Sequence, residues 1–354
     1  MARLSCLFIC QVVDRNDPIQ ATTVKWIETF ARHPRIAEVA VIALRTGEFH
    51  LPENAQVVAI QGANRLSTLW RFYRGVVDAL KNHPIDFFWI YQGGPYPLLL
   101  LPWKLFLNIP IYQWKAHPYI SLPMRFYARY CDSTIFTSTA KAFPMQSPKV
   151  RVVGQGIDVE TFCIQPLRKT RDLVTVGRIS AVKRLDQILR VLEACKRRYG
   201  QVYRLDMYGP VAERDDHYKR NLETLMDDLG LADQVTFKGA VNQAELPGIF
   251  NASRLFINFS KTALDRAVVE AMACGVPVFS TNPCVAEILP QDLQRLLIVP
   301  DDDLDRQVEA LHDLLSQDAE RLAEIGRTLR EIVVQRHSVA GLVDTVLREI
   351  GEPQ

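Results

Sequence analysis

Two cations in the stretch TVGRISAVKRLDQIL have the types and the spacing to bind an anion. Arg178 and Lys183 lie five residues apart on a predicted loop, between a strand that ends at Gly177 and a helix that begins near Arg184. The first turn of a helix presents free N–H groups, and guanidinium and ammonium groups add hydrogen bonds and positive charge. The pattern indicates a phosphate site, and a loop with solvated cations is the alternative.

A carboxylate, Glu270, lies inside the apolar segment KTALDRAVVEAMACGVPVFST. The pattern predicts a polar loop over 261–265, a short helix that begins near Arg266 and a strand from Val276. A buried carboxylate without a partner costs several kcal/mol. Because one carboxylate can accept from two hydroxyl groups, Glu270 would suit the cis-diol of a ribose. Pairing with an internal Arg, or capping of a neighbouring element, is the alternative.

A histidine in YQWKAHPY, His117, follows a predicted strand end and precedes a proline. A histidine in such a loop can orient a hydroxyl group or move a proton. A structural histidine explains the same pattern equally well.

Two further motifs carry less weight. The acidic run PDDDLDRQ at 300–307 contains a D-x-D, but it directly precedes a helical pattern, where acidic residues cap the helix. The segment GQG at 154–156 lacks a third glycine, and the first strand-to-helix turn, CQVVDRNDPIQ, contains no glycine. The sequence therefore disfavours a metal site and an NAD-dependent oxidoreductase.

The elements that would position these residues alternate between strands and helices along the whole chain. In the first half, STLWRFYRGVVDALKNH repeats apolar residues at helical spacing between strand-like runs such as EVAVIAL and IDFFWIY. In the second half, helices are predicted near 184–198, 215–229, 244–251, 266–274 and 305–316, and RLLIV at 295–299 is predicted as a strand. This order predicts an α/β protein with parallel sheets.

The 354-residue length is too great for one compact core and predicts two domains joined near VVGQGIDVETF, at 152–162. The predicted boundaries are 1–157, 158–335 and a final helix at 336–354 that packs back onto the first domain. In two doubly wound domains that face each other, ligand sites lie at the carboxyl ends of the strands, around one cleft.

Composition excludes several classes of protein. The seven cysteines, at positions 6, 10, 131, 163, 195, 274 and 284, form no CxxC pair, which favours buried thiols over disulfides or zinc. The most apolar region, PYPLLLLPWKLFLNIPIYQW, is interrupted by prolines and a lysine, so no transmembrane helix is predicted. The N-terminus is predicted to be a buried strand and not a signal peptide.

Charge is unevenly distributed between the two halves. Residues 1–157 contain 17 Lys and Arg against 9 Asp and Glu, whereas residues 158–354 contain 25 against 31. A basic first half would attract an anionic acceptor or an anionic membrane, and ordinary variation in surface charge is the alternative.

An ordered set of motifs in the second half resembles retaining glycosyltransferase family 4, of the GT-B fold. The set is VGQGID…F, VGRISAVKRLDQIL, YGP, VTFKGAV…EL, INFS and VVEAMACGVPV. In the first half the resemblance rests on IPIYQWKAH, and at the C-terminus QRHSVAGLVDTVLREI is similar to the family's closing helix. The resemblance implies transfer of a sugar from a UDP- or GDP-linked donor, with retention of configuration and with neither cofactor nor metal.

The resemblance also assigns roles to individual residues. It implies that Arg178 and Lys183 bind the donor diphosphate and stabilise the leaving group, that Glu270 binds the ribose, and that His117 lies near the donor sugar. The implied donor site also includes Tyr208, Gly209, Pro210, Gly239, Val241, Thr262, Leu264, Asp265, Arg266 and Ala267. Retention in the family is usually described as front-face attack, in which the departing phosphate takes the proton of the acceptor.

Two positions depart from the family pattern. The first glutamate of the Glu-x7-Glu motif is replaced by Thr262, so we expect Asp265 to act as the catalytic-site carboxylate in its place. The glycine-rich turn after the first strand is replaced by DRNDPIQ. Candidate acceptor-binding residues in the first half are Asn16, Asp17, Gln20, Tyr91 and Gln92.

The sequence thus predicts a glycosyltransferase of bacterial glycan or lipid-linked saccharide synthesis. Its expected partners are a nucleotide-sugar donor and a saccharide, lipid-linked or small-molecule acceptor, with no nucleic acid. The expected location is the cytoplasm, with peripheral contact to the inner face of an anionic membrane through RLSTLWRFYRG as a hypothesis. That helix also has the period of one that packs on the sheet. The alternatives are a GT-B nucleotide-sugar epimerase and a non-catalytic nucleotide-sugar-binding protein.

Overall fold

A computed structural model describes residues 3–122, 124–126 and 133–351. Contacts between Cα atoms divide the chain into two compact units. The first unit comprises Met1–Gly156 and Val339–Gln354, and the second comprises Ile157–Ser338. Both units are built on parallel sheets, which confirms the α/β class predicted from the sequence.

The first unit contains a sheet of seven described strands in the order β3-β2-β1-β4-β5-β6-β7. The strands are β1 (Leu4–Val13), β2 (Ile36–Thr46), β3 (Ala55–Ala59), β4 (Phe87–Tyr91), β5 (Ile111–Trp114), β6 (Ser133–Thr137) and β7 (Val150–Val152). The helices are α1 (Thr22–Arg32), α2 (Arg65–Asn82), α3 (Tyr96–Leu99) and α4 (Leu101–Leu107). Every described strand pair is parallel, and α1, α2 and the pair α3 and α4 form helical crossovers that return the chain to the same edge.

Two apolar layers cover the faces of this first sheet. On one face, α2 contributes Phe72, Val76 and Ala79 to the core. The other face contains the largest aromatic residues, including Trp26 and Trp114, whose ring centroids are 5.3 Å apart. The last helix, α13 (Val339–Ile350), places five buried apolar side chains in that second layer, so the C-terminus is part of the first unit.

The second unit contains a five-stranded parallel sheet in the order β10-β9-β8-β11-β12. Its strands are β8 (Arg171–Val176), β9 (Leu205–Tyr208), β10 (Val235–Gly239), β11 (Ser253–Asn258) and β12 (Val278–Ser280). Its helices are α5 (Leu185–Tyr199), α6 (Asp216–Asp228), α7 (Leu246–Asn251), α8 (Arg266–Ala273), α9 (Pro283–Ile288), α10 (Gln291–Leu297), α11 (Leu304–Leu315) and α12 (Ala319–Arg336). Since β8 lies between β9 and β11, the loops after these three strands are neighbours at one edge.

One predicted element is wrong. RLLIV at 295–299 was expected to be a strand, but helix α10 extends to Leu297 and only Ile298 makes a single bridge, to Ser280. Leu293 and Leu297, one helical turn apart, are both buried. A short apolar run fits a buried helix as well as a strand, so its composition did not decide between them.

The six described cysteines are free thiols, and Cys131 lies outside the described residues. Burial raises the pKa of Cys195 and of Cys274, each to about 12. Thiols with such pKa values are inert, which agrees with the expectation of buried thiols. In the part of the chain that the structure describes, no helix is both long and apolar enough to cross a membrane.

Candidate functional site

The candidate site of the second unit is built on loops that follow three adjacent strands. The loops after β8 and β9 are joined by a hydrogen bond from the Gly177 N–H to the Tyr208 carbonyl, at 2.9 Å. The loop after β9 is joined to β10 by a bond of 2.7 Å from the Gly209 N–H to the Gly239 carbonyl. These backbone bonds fix the relative positions of the loops before any ligand arrives.

Glycine is required at two of these loop positions because the chain segments approach closely. A Cβ atom on Gly209, whose φ is +149°, would lie 2.0 Å from the Gly177 carbonyl oxygen. A Cβ atom on Gly177, whose φ is +147°, would lie 3.0 Å from Nζ of Lys183. A larger residue at position 177 would therefore displace the lysine that the sequence analysis assigned to the diphosphate.

Lys183 and Asp265 form an ion pair at the start of α8. The two side chains are only 19% and 13% exposed, and the Oδ2 atom of Asp265 also accepts from Nδ2 of Asn258, at 3.1 Å. Asp265 is the N-cap residue of α8 by position, yet its side chain makes no capping bond. Its carboxylate thus pairs with Lys183 instead of capping the N-terminus of α8.

Arg178 is partly buried beside this pair. Its Nε atom is buried and has no hydrogen-bond partner within the described ranges. A buried guanidinium N–H without a partner costs free energy, which an incoming anion would recover. The geometry supports the prediction that Arg178 receives an anion.

Glu270 is buried inside α8, with 3% of its surface exposed. Its Oε1 atom accepts one long bond, 3.4 Å, from Nε2 of Gln243. Burial raises the pKa of Glu270 to about 7, an effect that the charge of Arg266 opposes and that of Asp265 reinforces. The carboxyl group therefore titrates close to neutral pH, and its oxygens can accept further hydrogen bonds.

Sequence analysis missed two residues of this site, Gln243 and Asn258. Gln243 follows the predicted loop 239–241, after β10, and its side chain donates to Glu270. Asn258 is the last residue of β11, is 3% exposed, and accepts a bond of 3.4 Å from the Ser280 hydroxyl while donating to Asp265. A polar side chain at the end of a central apolar strand was the signal that could have identified Asn258.

The remaining donor-site predictions divide by burial. Leu264 and Ala267 are buried, with 2% and 7% exposed, so only their backbone groups could contact a ligand. Thr262 is partly exposed, and its hydroxyl lies 3.2 Å from that of Ser260. Tyr208 is buried, Pro210 and Val241 are partly exposed, and Gly239 is exposed.

His117 of the first unit is exposed in the loop after β5. Its Nδ1 atom accepts the Tyr119 N–H at 3.1 Å, so in the neutral ring Nε2 carries the proton. Partial burial and the positive charge of Lys115 lower the pKa of His117. The ring is thus poised as a neutral donor, and its contact with a sugar stays a prediction.

The loop after β1 uses its polar residues for its own structure. Asp17 accepts from the N–H groups of Ile19 and Gln20 at 2.9 and 2.8 Å, and its second oxygen accepts from Arg45 at 2.8 Å. The Asn16 side chain donates to Glu48 at 3.0 Å. The Gln20 side chain donates to Gln11 at 2.9 Å. Asn16, Asp17 and Gln20 stay predicted acceptor residues, and both oxygens of Asp17 already accept bonds within this loop and from Arg45.

Tyr91 and Gln92 differ although they are adjacent at the end of β4. Tyr91 is 2% exposed, and its ring stacks on Trp114 with centroids 5.5 Å apart. Tyr91 therefore acts mainly in the packing of the core. Gln92 is exposed and has a φ of +59°, a conformation that residues other than glycine rarely adopt and that is found disproportionately at functional sites.

The acidic run at 300–307 caps and anchors a helix, as expected from its position. Asp303 accepts from the N–H of Arg306 at 2.9 Å at the start of α11. Asp301 forms ion pairs with Arg184 and Lys261. Among the described residues, no cluster of three or more His, Cys, Asp or Glu side chains could hold a metal ion.

Comparisons with known proteins identify similar sequences and a shared fold. Residues 162–331 match the family model of glycosyl transferases group 1. A GDP-mannose-dependent alpha-(1-6)-phosphatidylinositol monomannoside mannosyltransferase of Mycobacterium tuberculosis is 29% identical over 197 residues, 50% of this chain and 49% of that protein. A D-inositol 3-phosphate glycosyltransferase of Gordonia bronchialis is 27% identical over 214 residues, 56% of this chain and 46% of that protein. The chain aligns with about half the length of these curated relatives.

The fold is shared over nearly the whole chain with a solved glycosyltransferase-fold structure. Alr3699/HepE of Anabaena, in complex with UDP and glucose, has a TM-score of 0.74 and 18% identity, and the match covers 98% of this chain and 99% of that one. The predicted fold class is therefore confirmed. The second unit is thus similar to the glycosyl transferases of group 1, and the fold of the chain is that of the GT-B glycosyltransferases.

Proposed function

We propose that this protein transfers a sugar from a nucleoside diphosphate sugar to an acceptor hydroxyl, with retention of anomeric configuration. The observation that carries the proposal is the placement of Arg178 and Lys183 in the loop after β8 and of Glu270 in α8, which follows the adjacent strand β11. Two cations suit a diphosphate, and a carboxylate one helical turn away from Asp265 suits the hydroxyls of a ribose. The match of residues 162–331 to the family model supports the same roles for these residues.

The ionisation of Glu270 explains how a buried carboxylate can serve as a ribose site. Without ligand, its pKa of about 7 leaves it half protonated at neutral pH. Two ribose hydroxyls would donate to its oxygens, and hydrogen bonds to the charged form lower the pKa of a carboxyl. Nucleotide binding should therefore release protons near pH 7, which gives the site a measurable signature.

For the chemical step, we propose front-face attack assisted by the leaving group. The bond between the anomeric carbon and the phosphate oxygen breaks, the acceptor oxygen bonds to the same face, and its proton passes to the departing phosphate. Arg178 and Lys183 would stabilise the negative charge that develops on that phosphate. In this proposal these two side chains supply the positive charge, and the reaction requires no metal. His117 would orient a hydroxyl of the donor sugar through its Nε2–H.

Donor identity is the first property to test. The relative from Mycobacterium tuberculosis is named for GDP-mannose, whereas the Anabaena structure contains UDP and glucose. Calorimetry with UDP, GDP and AMP should show binding of one of the two diphosphates and little binding of AMP. Lys183→Ala should weaken that binding, while Arg190→Ala, which removes an exposed cation of α5, should not. Equal binding of all three nucleotides, or none, would contradict the proposal.

Transfer and epimerisation differ in their need for an acceptor. The relatives reported above are named as transferases, which supports transfer. We expect donor alone to be stable in the presence of the protein, and donor with acceptor to give nucleoside diphosphate. A new nucleotide sugar formed without acceptor would indicate an epimerase, and binding without any turnover would indicate a non-catalytic protein.

For the acceptor, we propose an anionic or lipid-linked polyol or saccharide of bacterial glycan synthesis. The two curated relatives are named for a phosphatidylinositol mannoside and for inositol 3-phosphate, both of which carry phosphate. The net positive charge of residues 1–157 would attract such a molecule. Acceptor activity should therefore fall as salt concentration rises.

We further propose that the first unit contacts an anionic membrane from the cytoplasm. Helix α2 packs on the sheet through one face, yet Leu66 and Trp70 on it are 78% and 61% exposed. The neighbouring α4 exposes Leu105, Phe106 and Leu107, by 74%, 85% and 57%. The two helices are in contact, since the rings of Tyr73 and Trp103 lie 5.5 Å apart.

Apolar side chains beside arginines are typical of helices that bind the membrane interface. Flotation with anionic vesicles at low salt should recover the wild-type protein. The double variant Trp70→Ser/Phe106→Ser should float less, and its nucleotide affinity should not change. Wild-type protein that stays at the bottom of the gradient would refute membrane contact while leaving the donor site untouched.

A further inference from the structure

A cavity lies in the second unit, at the opposite end of α8 from Arg266. It has a volume of about 320 Å³, at the lower end of the range for ligand pockets. Its lining is mainly apolar and includes Ile164, Pro277 and Leu322, together with Cys274 and Gly275 just after α8. Apolar cavities of this size bind apolar molecules readily, because water gains few hydrogen bonds in them.

Beside the cavity, the backbone of α12 contacts the turn after α8. A Cβ atom on Gly326 of α12 would lie 1.9 Å from the Gly275 carbonyl oxygen, so no side chain separates the two segments there. Arg330 joins the same segments by donating to the carbonyl oxygens of Phe162 and Ala273, at 2.8 and 2.5 Å. These contacts hold α12 against the turn that lines the cavity.

Three cations line this apolar cavity. Arg254 is engaged, because it donates to the Leu315 carbonyl at 2.7 Å and lies 3.5 Å from Asp172. Lys169 and Arg327 are exposed to solvent at the edge of the lining. Within the described ranges, neither side chain makes an ion pair or a hydrogen bond, so both can take up an anion. Partial burial lowers the pKa of Lys169, an effect that proximity to Cys274 partly opposes.

We propose that this cavity binds a small amphipathic anion, whose apolar body fills the space between α12 and the turn after α8 and whose carboxylate or phosphate contacts Lys169 and Arg327. Charge complementarity selects this class, since the head group would lie beside two exposed cations that form no ion pair with the described residues. The site is independent of the proposed donor site, and no donor-site residue lines it.

Calorimetry with octanoate, octyl phosphate and 1-octanol tests this proposal. The two anions should bind at least tenfold more tightly than 1-octanol, and the tighter of the two identifies the head group. Lys169→Gln/Arg327→Gln should weaken octanoate at least tenfold without affecting 1-octanol. Ala323→Trp, which places an indole in the cavity from an exposed position on α12, should abolish binding of all three.

Matched controls separate this site from other surfaces. Arg190→Gln/Arg220→Gln removes two exposed cations elsewhere in the unit and should leave octanoate binding unchanged. Lys183→Ala should also leave it unchanged, which makes the result independent of the donor site. Absence of octanoate binding, equal affinity for octanoate and 1-octanol, or full binding by Ala323→Trp would overturn the proposal.

Discussion

The carboxyl ends of the strands differ between the two units in how far their polar groups are satisfied. In the second unit, Glu270 has a single bond of 3.4 Å and Arg178 has a buried Nε without a described partner. In the first unit, Asp17 makes three bonds of 2.8–2.9 Å with its own surroundings. Both edges contain charged residues, but among the described residues the fully buried carboxylate with a single long hydrogen bond, Glu270, lies at the edge of the second unit.

This difference indicates where a ligand would gain the most binding free energy. A buried, poorly bonded charge destabilises the free protein, and a molecule that completes its hydrogen bonds recovers that cost on binding. A fully bonded surface carboxylate offers a ligand no such gain. The comparison predicts that substitutions of Arg178, Lys183 and Glu270 alter nucleotide binding, whereas substitution of Asp17 in the loop after β1 alters stability and leaves nucleotide binding unchanged.

The largest effect is expected from removing both cations of the second unit. Arg178→Ala/Lys183→Ala should reduce turnover of the nucleotide sugar by about 10²–10³ or more, the range found for loss of a single charge-stabilising donor. Initial rates at saturating donor would measure it. The control Arg190→Ala/Arg220→Ala removes the same charge from exposed positions. A control that loses as much activity would show that only overall charge matters.

Substitution of Glu270 should change affinity and stability in opposite directions. Glu270→Gln should weaken nucleotide binding by about 1–3 kcal/mol, because hydrogen bonds to a charged acceptor are lost. At pH 8 the free energy of unfolding of the same variant should be higher by about 1–3 kcal/mol, because a carboxylate whose pKa is raised to about 7 destabilises the fold when it is ionised. The variant should therefore unfold at a higher temperature than wild type.

The pH dependence gives the sign of that stability difference. The folded protein holds the Glu270 proton up to about pH 7, whereas the unfolded chain releases it near 4.5, so wild-type stability falls as pH rises through this window. The advantage of Glu270→Gln should therefore be small at pH 5 and full above pH 7 in thermal melts. A variant less stable than wild type at pH 8 would show that Glu270 has stronger partners than Gln243.

Substitution of Asp265 tests whether its carboxylate competes with a diphosphate for Lys183 or also binds the sugar. Its ion pair with Lys183 competes with a diphosphate, so Asp265→Asn should tighten binding of the bare nucleoside diphosphate by roughly threefold to tenfold, about 1 kcal/mol for a partly exposed pair. If Asp265 also binds the sugar, the same variant should lose the extra affinity that the sugar confers. Calorimetry with the diphosphate and with its sugar conjugate separates the two roles. Weaker binding of the bare diphosphate would refute competition.

The placement of the candidate donor-site residues was largely predictable from the sequence because it follows from local patterns. Gly177, Arg178, Lys183 and Gly209 follow strand ends, Glu270 lies in the helix after β11, and parallel strands align those ends. Their contact with a donor stays a prediction. Asn258 and Gln243 were not predictable in the same way. Their roles depend on which strand lies beside which, a non-local order that periodicity does not contain.

The first unit was harder to interpret because its candidate residues have generic types. Asp17 looks the same in the sequence whether it binds an acceptor or bonds to its own turn, and only the distances to Ile19, Gln20 and Arg45 decide. Tyr91 follows an apolar strand, as a ligand-binding tyrosine would, but its ring completes the packing between Trp26 and Trp114.

Asp17→Ala should act on stability and not on nucleotide binding. It removes the acceptor for two N–H groups at the turn before α1, which should cost about 1 kcal/mol, as loss of a helix-capping side chain does. Denaturant unfolding measures this, and nucleotide affinity should stay within error. Asp17→Asn keeps one acceptor oxygen and should cost less. A nucleotide affinity that falls with Asp17→Ala would contradict the contrast between the two edges.

His337 provides the smallest and most discriminating test, because it is a buried unsatisfied group that lies away from both edges. It is 4% exposed, its Nδ1 atom has no partner among the described residues, and burial lowers its pKa to about 4, with a further contribution from Arg336. Since unfolded histidine titrates near 6.5, the unfolded chain binds more protons than the folded one between pH 4 and 6.5.

Stability should therefore fall as pH falls through that range, by roughly 0.7 kcal/mol between pH 7 and 6. His337→Gln should remove this part of the pH dependence in denaturant unfolding and leave nucleotide affinity unchanged at both pH values. Such a result would show that a missing partner alone does not mark a ligand site, and that position at the strand ends is also required. Loss of nucleotide affinity in His337→Gln would mean that a buried polar group without a partner is enough to mark a ligand site, wherever it lies.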